Sequence, residues 1–143
     1  GHSHSDRICM IGTGAYGSYA ALQAIVKDQS LYKCTVAFAP AIGRGERGGS
    51  HYTLNKDYEH KDVSPLNHID KINVPVLLFH GDTDAKVNVD LSREFYKNMQ
   101  KAGKDIKYTE FEFGDHNLSN QEHRIQFLKE IELFLAKNLA KNL

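Results

Sequence analysis

The fold of this chain is decided by residues 74–84, which read VPVLLFHGDTD. Residues 74–80 form a continuous apolar run, which is typical of a strand buried on both faces of a parallel sheet. The run ends in a glycine and two aspartates, so acidic side chains follow the strand at once. Because open parallel sheets bind ligands beyond the carboxyl ends of their strands, this segment predicts both a buried strand and a functional edge.

An alternation of strand and helix extends outward from this segment along the whole chain. Three further strands are predicted by apolar or alternating runs at 7–11, 34–39 and 106–113. Three helices are predicted by apolar residues at helical spacing, at 18–27, 90–102 and 119–139. Parallel strands joined by helices form right-handed crossovers. We therefore expect an α/β fold with three layers, α/β/α, around a mainly parallel sheet of about four sequential strands.

The two ends and the middle of the chain differ in character from these elements. Residues 1–5 are small and polar like a tag or linker remnant, and residues 6–143 are predicted to form a single domain. Residues 41–63 are rich in glycine, charge and histidine, which predicts a long surface excursion. The final helix is predicted to begin with Ser119 as its N-cap and Glu122 in a capping box. Its predicted apolar stripe consists of Ile125, Leu128, Ile131, Phe134 and Leu135.

The composition of the chain excludes several classes of protein. The chain has 143 residues, 41% hydrophobic and 25% charged, which suits one compact domain. Basic and acidic residues number 18 each, so no excess charge favours nucleic acid or an anionic membrane. Neither an apolar run of membrane-spanning length nor a signal peptide is recognised, and a cytoplasmic location is expected. Cys9 and Cys34 both lie in apolar runs and are predicted to be small buried hydrophobes rather than a disulfide.

Three of the four predicted strands end in segments that carry glycine, acid or histidine. They are GTGAYG (12–17), HGDTDAKV (80–87) and GDH (114–116). Asp84 and His116 therefore lie at neighbouring strand ends, where a carboxylate that orients an imidazole forms half of a nucleophilic triad. The chain order, a glycine-rich elbow followed by Asp and then His, is that of α/β-hydrolases.

Several segments resemble the prolyl oligopeptidase family, and above all its acylaminoacyl-peptidase-like branch. They are DRI (6–8), YGSYAAL (16–22), SPL (64–66), VPVLL (74–78), HGDTD (80–84) and GDH (114–116). The resemblance implies the C-terminal part of an α/β-hydrolase catalytic domain that hydrolyses peptide or acyl-peptide bonds. It places the family's catalytic Asp on Asp84 and its catalytic His on His116. The family's elbow, Gly-x-Ser-Tyr-Gly-Gly-Tyr-Ala, places the nucleophilic serine on Ala15.

The chain departs from the family pattern at this elbow. Ala15 has no hydroxyl, so no acyl-enzyme can form and the chain is expected to be inactive as written. Thr13 and Ser18 stand where the family has glycines, and Ser18 is not expected to substitute as nucleophile. The family's earlier strands, with the loop that donates the second oxyanion N–H, have no counterpart in this sequence. The backbone N–H of Tyr16 is the oxyanion donor that the resemblance leaves.

Two alternative hypotheses compete with a hydrolase. Gly12, Gly14 and Gly17 form a G-x-G-x-x-G motif between a strand and a helix, which is the context of dinucleotide binding. That motif also needs an acid at the end of the second strand, but from Ala37 onward the first acidic residue is Glu46. The other alternative is an inert folding module, engineered or relict. No cofactor and no metal are expected, since the pair Asp82 and Asp84 has no further ligands placed beside it.

The expected partners follow from the family resemblance and from the first strand. The resemblance implies a peptide or acyl-peptide substrate, whereas nucleic acid and membrane are not expected. In the family, the strand that corresponds to Arg7–Ile11 is paired on both sides, and here its outer partner is missing. Because exposed strand edges pair with other chains, we expect a homodimer or pairing with a missing N-terminal half through this strand.

Overall fold

The computed structural model describes residues 7–42 and 64–140. Its strands are β1 (Cys9–Thr13), β2 (Cys34–Phe38), β3 (Val76–Gly81) and β4 (Ile106–Phe111). They form one sheet in the order β1-β2-β3-β4, and each neighbouring pair is parallel. The predicted α/β class and sequential parallel sheet are therefore confirmed. The excursion predicted at 41–63 falls almost wholly outside the described residues, as does the predicted tag at 1–5.

Three helices cover the two faces of this sheet. They are α1 (Gly14–Lys27), α2 (Asp90–Lys101) and α3 (Gln121–Leu139), and two short 3₁₀ turns occupy Pro65–Asn67 and Ile69–Lys71. Right-handed crossovers that advance in one direction across a sheet place their helices on the same face. Accordingly α1 and α2 contribute to one hydrophobic cluster and α3 to the other, which gives the three predicted layers.

The core is built on the two central strands, β2 and β3, which are buried at every position. Successive side chains of a strand point to opposite faces, so each strand supplies both clusters. The cluster beneath α1 and α2 includes Leu22, Ile25, Ala37, Leu78, Leu91 and Phe95. The cluster beneath α3 includes Val36, Phe38, Leu77, Phe79, Phe127 and Ile131. These two central strands hold the carboxyl edge of the sheet in a fixed position.

The start of α3 differs from the prediction. The N-cap is Asn120, not Ser119, and its side-chain oxygen accepts a hydrogen bond from the Glu122 N–H at 2.8 Å. Ser119 is unavailable because its N–H and its hydroxyl both donate to the Asp115 carboxylate, at 2.8 and 2.5 Å. Ser119 therefore belongs to the turn that precedes the helix.

The apolar stripe predicted on α3 is only partly correct. Ile131 is buried, and Phe134 and Leu135 pack against the same cluster, as predicted. Ile125 and Leu128 are instead 45% and 63% exposed. Phe127, which the prediction omitted, is buried against the sheet and stacks edge-on with the Phe79 ring at 4.7 Å. The helix thus presents a face rotated from the predicted stripe.

The first strand and its disulfide also differ from the prediction. The strand lies at Cys9–Thr13 rather than 7–11, and the helix that follows begins at Gly14 rather than Ser18. Cys9 pairs in register with Cys34 across β1 and β2, with their Cα atoms 4.7 Å apart, and the two sulfurs form a disulfide. The prediction of two separate buried thiols was wrong, because strand register is not visible in either apolar run.

The outer edge of β1 is the part of the sheet through which association with a partner was predicted. Within the described residues β1 pairs only with β2, and Ile11 on β1 is 47% exposed. Association through this edge, with a second copy or with a preceding segment, stays a prediction. Within residues 7–42 and 64–140, no helix is long and apolar enough to cross a membrane. The cytoplasmic location also stays a prediction.

Candidate active site

Asp84 lies in the loop that follows β3, and its carboxylate is fully enclosed. One oxygen, Oδ1, accepts hydrogen bonds from the N–H groups of Lys86 at 2.8 Å and Val87 at 2.9 Å. The side chain has no exposed surface. A carboxylate that accepts backbone N–H bonds is fixed in direction, because rotation would leave those donors unpaired. The direction of the other oxygen, Oδ2, is therefore fixed as well.

The loop that carries Asp84 is joined to the loop that carries His116. The Thr83 N–H and hydroxyl both donate to the Gly114 carbonyl, at 3.0 and 2.9 Å. A Cβ on Gly81 would collide with that same carbonyl, so only glycine allows the two backbones to approach so closely. The two loops consequently hold each other in position at the carboxyl ends of β3 and β4.

His116 lies in a tight turn with unusual backbone geometry. Phe113 and Leu118, on either side of it, have φ values of 54° and 51°, in the left-handed region that non-glycine residues seldom adopt. The Asp115 carboxylate stabilises the turn by accepting bonds from Ser119, and these hydrogen bonds lower the pKa of Asp115. Such strained residues often mark functional sites, because the surrounding structure must maintain them.

The structure brings Asp84 and His116 together. Nδ1 of His116 lies 2.7 Å from Oδ2 of Asp84, and the imidazole is 16% exposed. Since the carboxylate can only accept, Nδ1 carries the proton and Nε2 of the neutral ring presents a lone pair. Burial alone would raise the pKa of Asp84, but bonds from the Val87 N–H, His116 and the Lys86 N–H together lower it. Asp84 therefore stays ionised and holds the ring in one tautomer.

A second histidine, His80, lies behind Asp84 and was predicted only as a structural residue. It is fully buried, and its Nε2 lies 3.1 Å from the Val87 carbonyl and 3.3 Å from Oδ2 of Asp84. Both neighbours are acceptors, so Nε2 carries the proton and Nδ1 accepts from the Ser92 hydroxyl at 2.7 Å. Burial lowers the pKa of His80, so the ring stays neutral.

The His80–Ser92 contact was missed by sequence reasoning. The two residues lie 12 positions apart, on the end of β3 and in the first turn of α2. No periodicity connects them, although a histidine that ends a fully apolar strand was a signal that some buried partner exists. The contact holds the His80 ring in place, with its Nε2 bonded to the Val87 carbonyl and 3.3 Å from the Asp84 carboxylate that binds His116.

The elbow between β1 and α1 is built around glycines. A Cβ on Gly12 would collide with the Gly17 carbonyl, so strand and helix approach backbone to backbone. Gly14 begins the helix with φ 71°. A Cβ on Gly14 would lie 3.7 Å from Nε2 of His116, the one described atom within 4 Å outside its chain neighbours and the backbone of its own helix. The glycines therefore shape a tight turn that faces the imidazole.

Ser18, the other hydroxyl near the elbow, serves the backbone. It is fully buried, and its hydroxyl oxygen lies 2.9 Å from the Gly12 carbonyl and 2.6 Å from the Phe38 carbonyl. The same oxygen accepts from the Phe38 N–H at 2.8 Å. It therefore ties together the ends of β1 and β2. These contacts agree with the expectation that Ser18 does not substitute as nucleophile.

Ala15 and Tyr16, the other two predicted site residues, lie in the first turn of α1. Ala15 packs against the hydrophobic cluster beneath α1 and α2, and its carbonyl accepts from the Ala41 N–H at 3.2 Å. The Tyr16 side chain is 63% exposed. His116, in contrast, lies beside Phe38 of the other cluster, with ring centroids 6.3 Å apart. The first turn of α1 thus supplies backbone N–H groups, and Ala15 supplies no hydroxyl.

The glycine motif and the pair Asp82 and Asp84 are the features that could carry a different kind of site. Within residues 7–42 and 64–140, no group of three or more His, Cys, Asp or Glu side chains could hold a metal ion. The Asp82 N–H donates to the Phe111 carbonyl at 3.1 Å. The space that a Cβ would need on Gly12 is filled by the chain's own backbone rather than left open.

Comparison with known proteins gives the site its context. Residues 1–142 match the model of the prolyl oligopeptidase family. The acylamino-acid-releasing enzyme of Rattus norvegicus is 23% identical in a match that covers 97% of this chain and 21% of that protein.

Two solved structures share the fold of this chain. The acylaminoacyl peptidase of Pyrococcus horikoshii superposes with a TM-score of 0.80 at 23% identity, over 99% of this chain and 25% of that one. A puromycin-hydrolyzing peptidase of Mycobacterium tuberculosis superposes with a TM-score of 0.88 at 21% identity, over 96% and 23%. The chain thus spans at most about a quarter of the length of these relatives.

Proposed function

Because this chain belongs to the prolyl oligopeptidase family, we propose that it is the C-terminal part of a serine-peptidase-type catalytic domain. The substrate class is a peptide or acyl-peptide bond. The observation that supports this most directly is the 2.7 Å contact between Nδ1 of His116 and Oδ2 of Asp84. That contact lies at the carboxyl edge of a parallel sheet, beside the helix that follows β1, which is where a hydrolase triad is assembled.

In this proposal His116 is the general base and Asp84 the residue that orients it. Nε2 would take the proton of a nucleophilic hydroxyl as that oxygen attacks the scissile carbonyl carbon, and would later give a proton to the leaving amine. Asp84 stabilises the imidazolium formed in between. The first-turn N–H groups of α1, which include that of Tyr16, would serve as the oxyanion donors. The lowered pKa of Asp84 keeps its carboxylate ionised, as this role requires.

The proposal includes inactivity of the chain as written. The family elbow places the serine on Ala15, and Ala15 has no oxygen to attack a carbonyl. Neighbouring Gly14 offers none either, and the hydroxyl of Ser18 is bonded to the backbone of Gly12 and Phe38. A base and an orienter without a nucleophile can polarise a bound group but cannot form an acyl-enzyme.

The substrate class is taken from the names of the relatives. Acylaminoacyl peptidases act on the residue that carries an N-terminal acyl group, as their name states. This chain covers about a quarter of such a protein. The assignment to peptide or acyl-peptide bonds therefore depends on family membership.

A fluorophosphonate probe tests the proposed function. The probe phosphonylates an activated serine, and we expect it to leave this chain unlabelled under conditions that label an intact family member. We also expect no burst of p-nitrophenolate with p-nitrophenyl esters, because no acyl-enzyme accumulates. The folded state is checked by circular dichroism in the same buffer.

Labelling of one site per chain would contradict the proposal. Peptide mapping by mass spectrometry then identifies the modified residue. A label on Ser18 would show that the elbow rearranges in solution, and a label far from His116 would show that the activity uses a different site. Heat-denatured protein serves as the control for non-specific modification.

A further inference from the structure

We infer that Gly14, not Ala15, occupies the nucleophile's place in this site, and that the Ala15 N–H is the matching oxyanion donor. The inference rests on the proposed function, since it assigns the missing member of the same triad. It changes which residue must be replaced to rebuild the site.

The first support is the direction in which Gly14 faces His116. A Cβ on Gly14 would lie 3.7 Å from Nε2, the one contact within 4 Å that it would make outside its chain neighbours and the backbone of its own helix, among the described residues. A hydroxyl on that carbon would come within hydrogen-bond reach of Nε2, about 2.6–3.2 Å. Nε2 is the ring nitrogen with the free lone pair, because Nδ1 is bonded to Asp84. Gly14 thus faces the basic atom of the pair.

The second support is the backbone of Gly14. Its φ of 71° lies in the left-handed region, at the point where β1 turns into α1. The nucleophile of an α/β-hydrolase sits on a sharp, strained turn between strand and helix, which exposes its side chain above the sheet. Thr13, just before, has an ordinary extended backbone with φ −125° and ψ 145°. Among the elbow residues 12–18, only Gly14 has a positive φ.

The third support is the position of Ala15. Its methyl group packs against the cluster beneath α1 and α2, which also contains Leu22 and Ile42. His116 lies beside Phe38, whose side chain belongs to the cluster on the opposite face of the sheet. A serine hydroxyl at position 15 would start from a Cβ that is already committed to the core. The structure therefore aligns Ala15 with the residue after the nucleophile.

The sequence explains how the shift arises. The family elbow has two residues between its first glycine and its tyrosine, Gly-x-Ser-Tyr. This chain has three between Gly12 and Tyr16. Matching from Tyr16 backward puts the serine on Ala15, whereas matching from Gly12 forward puts it on Gly14. The contact between Gly12 and Gly17 fixes the strand side of the turn, so the extra residue is absorbed into the first turn of the helix.

Cysteine substitution tests the inference without any need for a complete oxyanion hole. We compare Gly14→Cys with Ala15→Cys, each with and without His116→Asn, and follow alkylation by iodoacetamide across pH. The thiolate sulfur forms a bond to carbon as iodide leaves, so the pH profile reports the thiol pKa. Both positions lie at the start of α1, so the helix dipole acts on both and the comparison removes its effect.

The expected result is a thiol at position 14 whose pKa lies at least one unit below that at position 15. One unit corresponds to about tenfold more thiolate below both pKa values. His116→Asn should abolish this difference, because the imidazolium that stabilises the thiolate is lost. Peptide mapping confirms that the alkylated residue is the introduced cysteine, since Cys9 and Cys34 are paired in the structure.

Two results would overturn the inference and separate it from the proposed function. A His116-dependent shift at position 15 alone would return the nucleophile's place to Ala15 and leave the proposed function intact. No His116-dependent shift at either position would contradict both. If Gly14→Cys does not fold, nuclear Overhauser contacts in the unsubstituted chain decide. Contacts from the Gly14 α protons to the His116 ring support the inference, and contacts from the Ala15 methyl alone overturn it.

Discussion

The two halves of the candidate site, the Asp84–His116 loops and the elbow at residues 12–18, are built in different ways. The loops are held by side-chain hydrogen bonds, in which one carboxylate binds two backbone N–H groups and an imidazole. The elbow is held by backbone contact between Gly12 and Gly17 and by the Ser18 hydroxyl. The Asp84–His116 loops retain the functional groups of the site, whereas the elbow retains its backbone turn without a nucleophilic side chain.

This difference means that the shape of the elbow in this chain is specified without a nucleophilic side chain. The turn is specified by small residues and by a positive φ at Gly14, and none of these needs a hydroxyl at that position. In the loops, by contrast, the Asp84 carboxylate and the His116 imidazole themselves make hydrogen bonds that hold the loops in place. Removing a functional group should therefore be costly in the loops and almost free in the elbow, where only added atoms do damage.

The largest expected effect comes from Asp84→Ala. The substitution leaves the Lys86 and Val87 N–H groups and the Nδ1–H of His116 without their acceptor. We expect a loss of about 4 kcal/mol in the free energy of unfolding, because each hydrogen-bonding group left unpaired inside the fold costs about 1–3 kcal/mol. Urea denaturation followed by circular dichroism measures it.

Two related substitutions sharpen this test. Asp84→Asn keeps an oxygen for the two backbone N–H groups and should cost about half as much, because only the charge and the bond to His116 are lost. Asp105→Asn, on the exposed turn before β4, should leave the urea midpoint unchanged. Equal effects of Asp84→Ala and Asp105→Asn would show that the loop is not held by this carboxylate.

The next largest effect is expected in the elbow, from an added methyl group. Gly12→Ala places a Cβ into the Gly17 carbonyl and should destabilise the fold by about 3 kcal/mol. Gly17→Ala is the matched control, because its Cβ would meet Gly12 at 3.9 Å, an ordinary contact. It should be neutral or stabilise α1 by up to about 1 kcal/mol through helix propensity. Equal losses for both variants would contradict the backbone contact.

The smallest expected effect is a dependence of stability on pH, which arises from His80 behind Asp84 and not from the elbow. Burial lowers the pKa of His80, so the unfolded chain takes up a proton near its ordinary value of 6.5 that the folded chain refuses. Stability should therefore fall as pH drops below about 6.5, by up to about 1.4 kcal/mol per unit from this residue. Stability stops falling once the pH reaches the lowered pKa that His80 has in the folded chain, because the folded and unfolded chains then both bind the proton.

Urea midpoints at several pH values from about 7.5 to about 5 measure this slope, because the carboxylates contribute mainly below that window. The contribution of Asp84, whose pKa is lowered in the fold, is lost only at still lower pH. His80→Gln should reduce the slope, whatever its effect on stability at pH 7.5. An unchanged slope would mean that His80 is protonated in the folded chain or free to reach water.

Much of the fold could be predicted from the sequence because apolar runs indicate buried strands, and the alternation of strand and helix patterns indicates a parallel sheet. The apolar run 74–80 is the clearest case, since β3 at Val76–Gly81 is buried throughout. The sequential order of the strands followed from their alternation with helices. The approach of Asp84 to His116 could also be predicted, because neighbouring parallel strands bring their carboxyl ends to the same edge.

The features that could not be predicted depend on which of several chemically similar groups come into contact in the folded chain. Ser119 and Asn120 can both cap a helix, and Asp115 decides between them by binding Ser119. Cys9 and Cys34 become partners only through the register of β1 and β2. The extra residue in the elbow gave two possible alignments, and a backbone dihedral angle is the kind of information that residue types do not carry.

The carboxylate of Asp84 has a consequence for how such a chain evolves. It caps two N–H groups of its own loop and lies beside a buried histidine, so folding depends on it in the absence of any substrate. Selection for a folded protein alone is sufficient to preserve it, and with it the orientation of His116. A lineage that loses its nucleophile would keep the aspartate for generations afterwards. Its site could then regain a hydroxyl by one mutation, without having to rebuild the base.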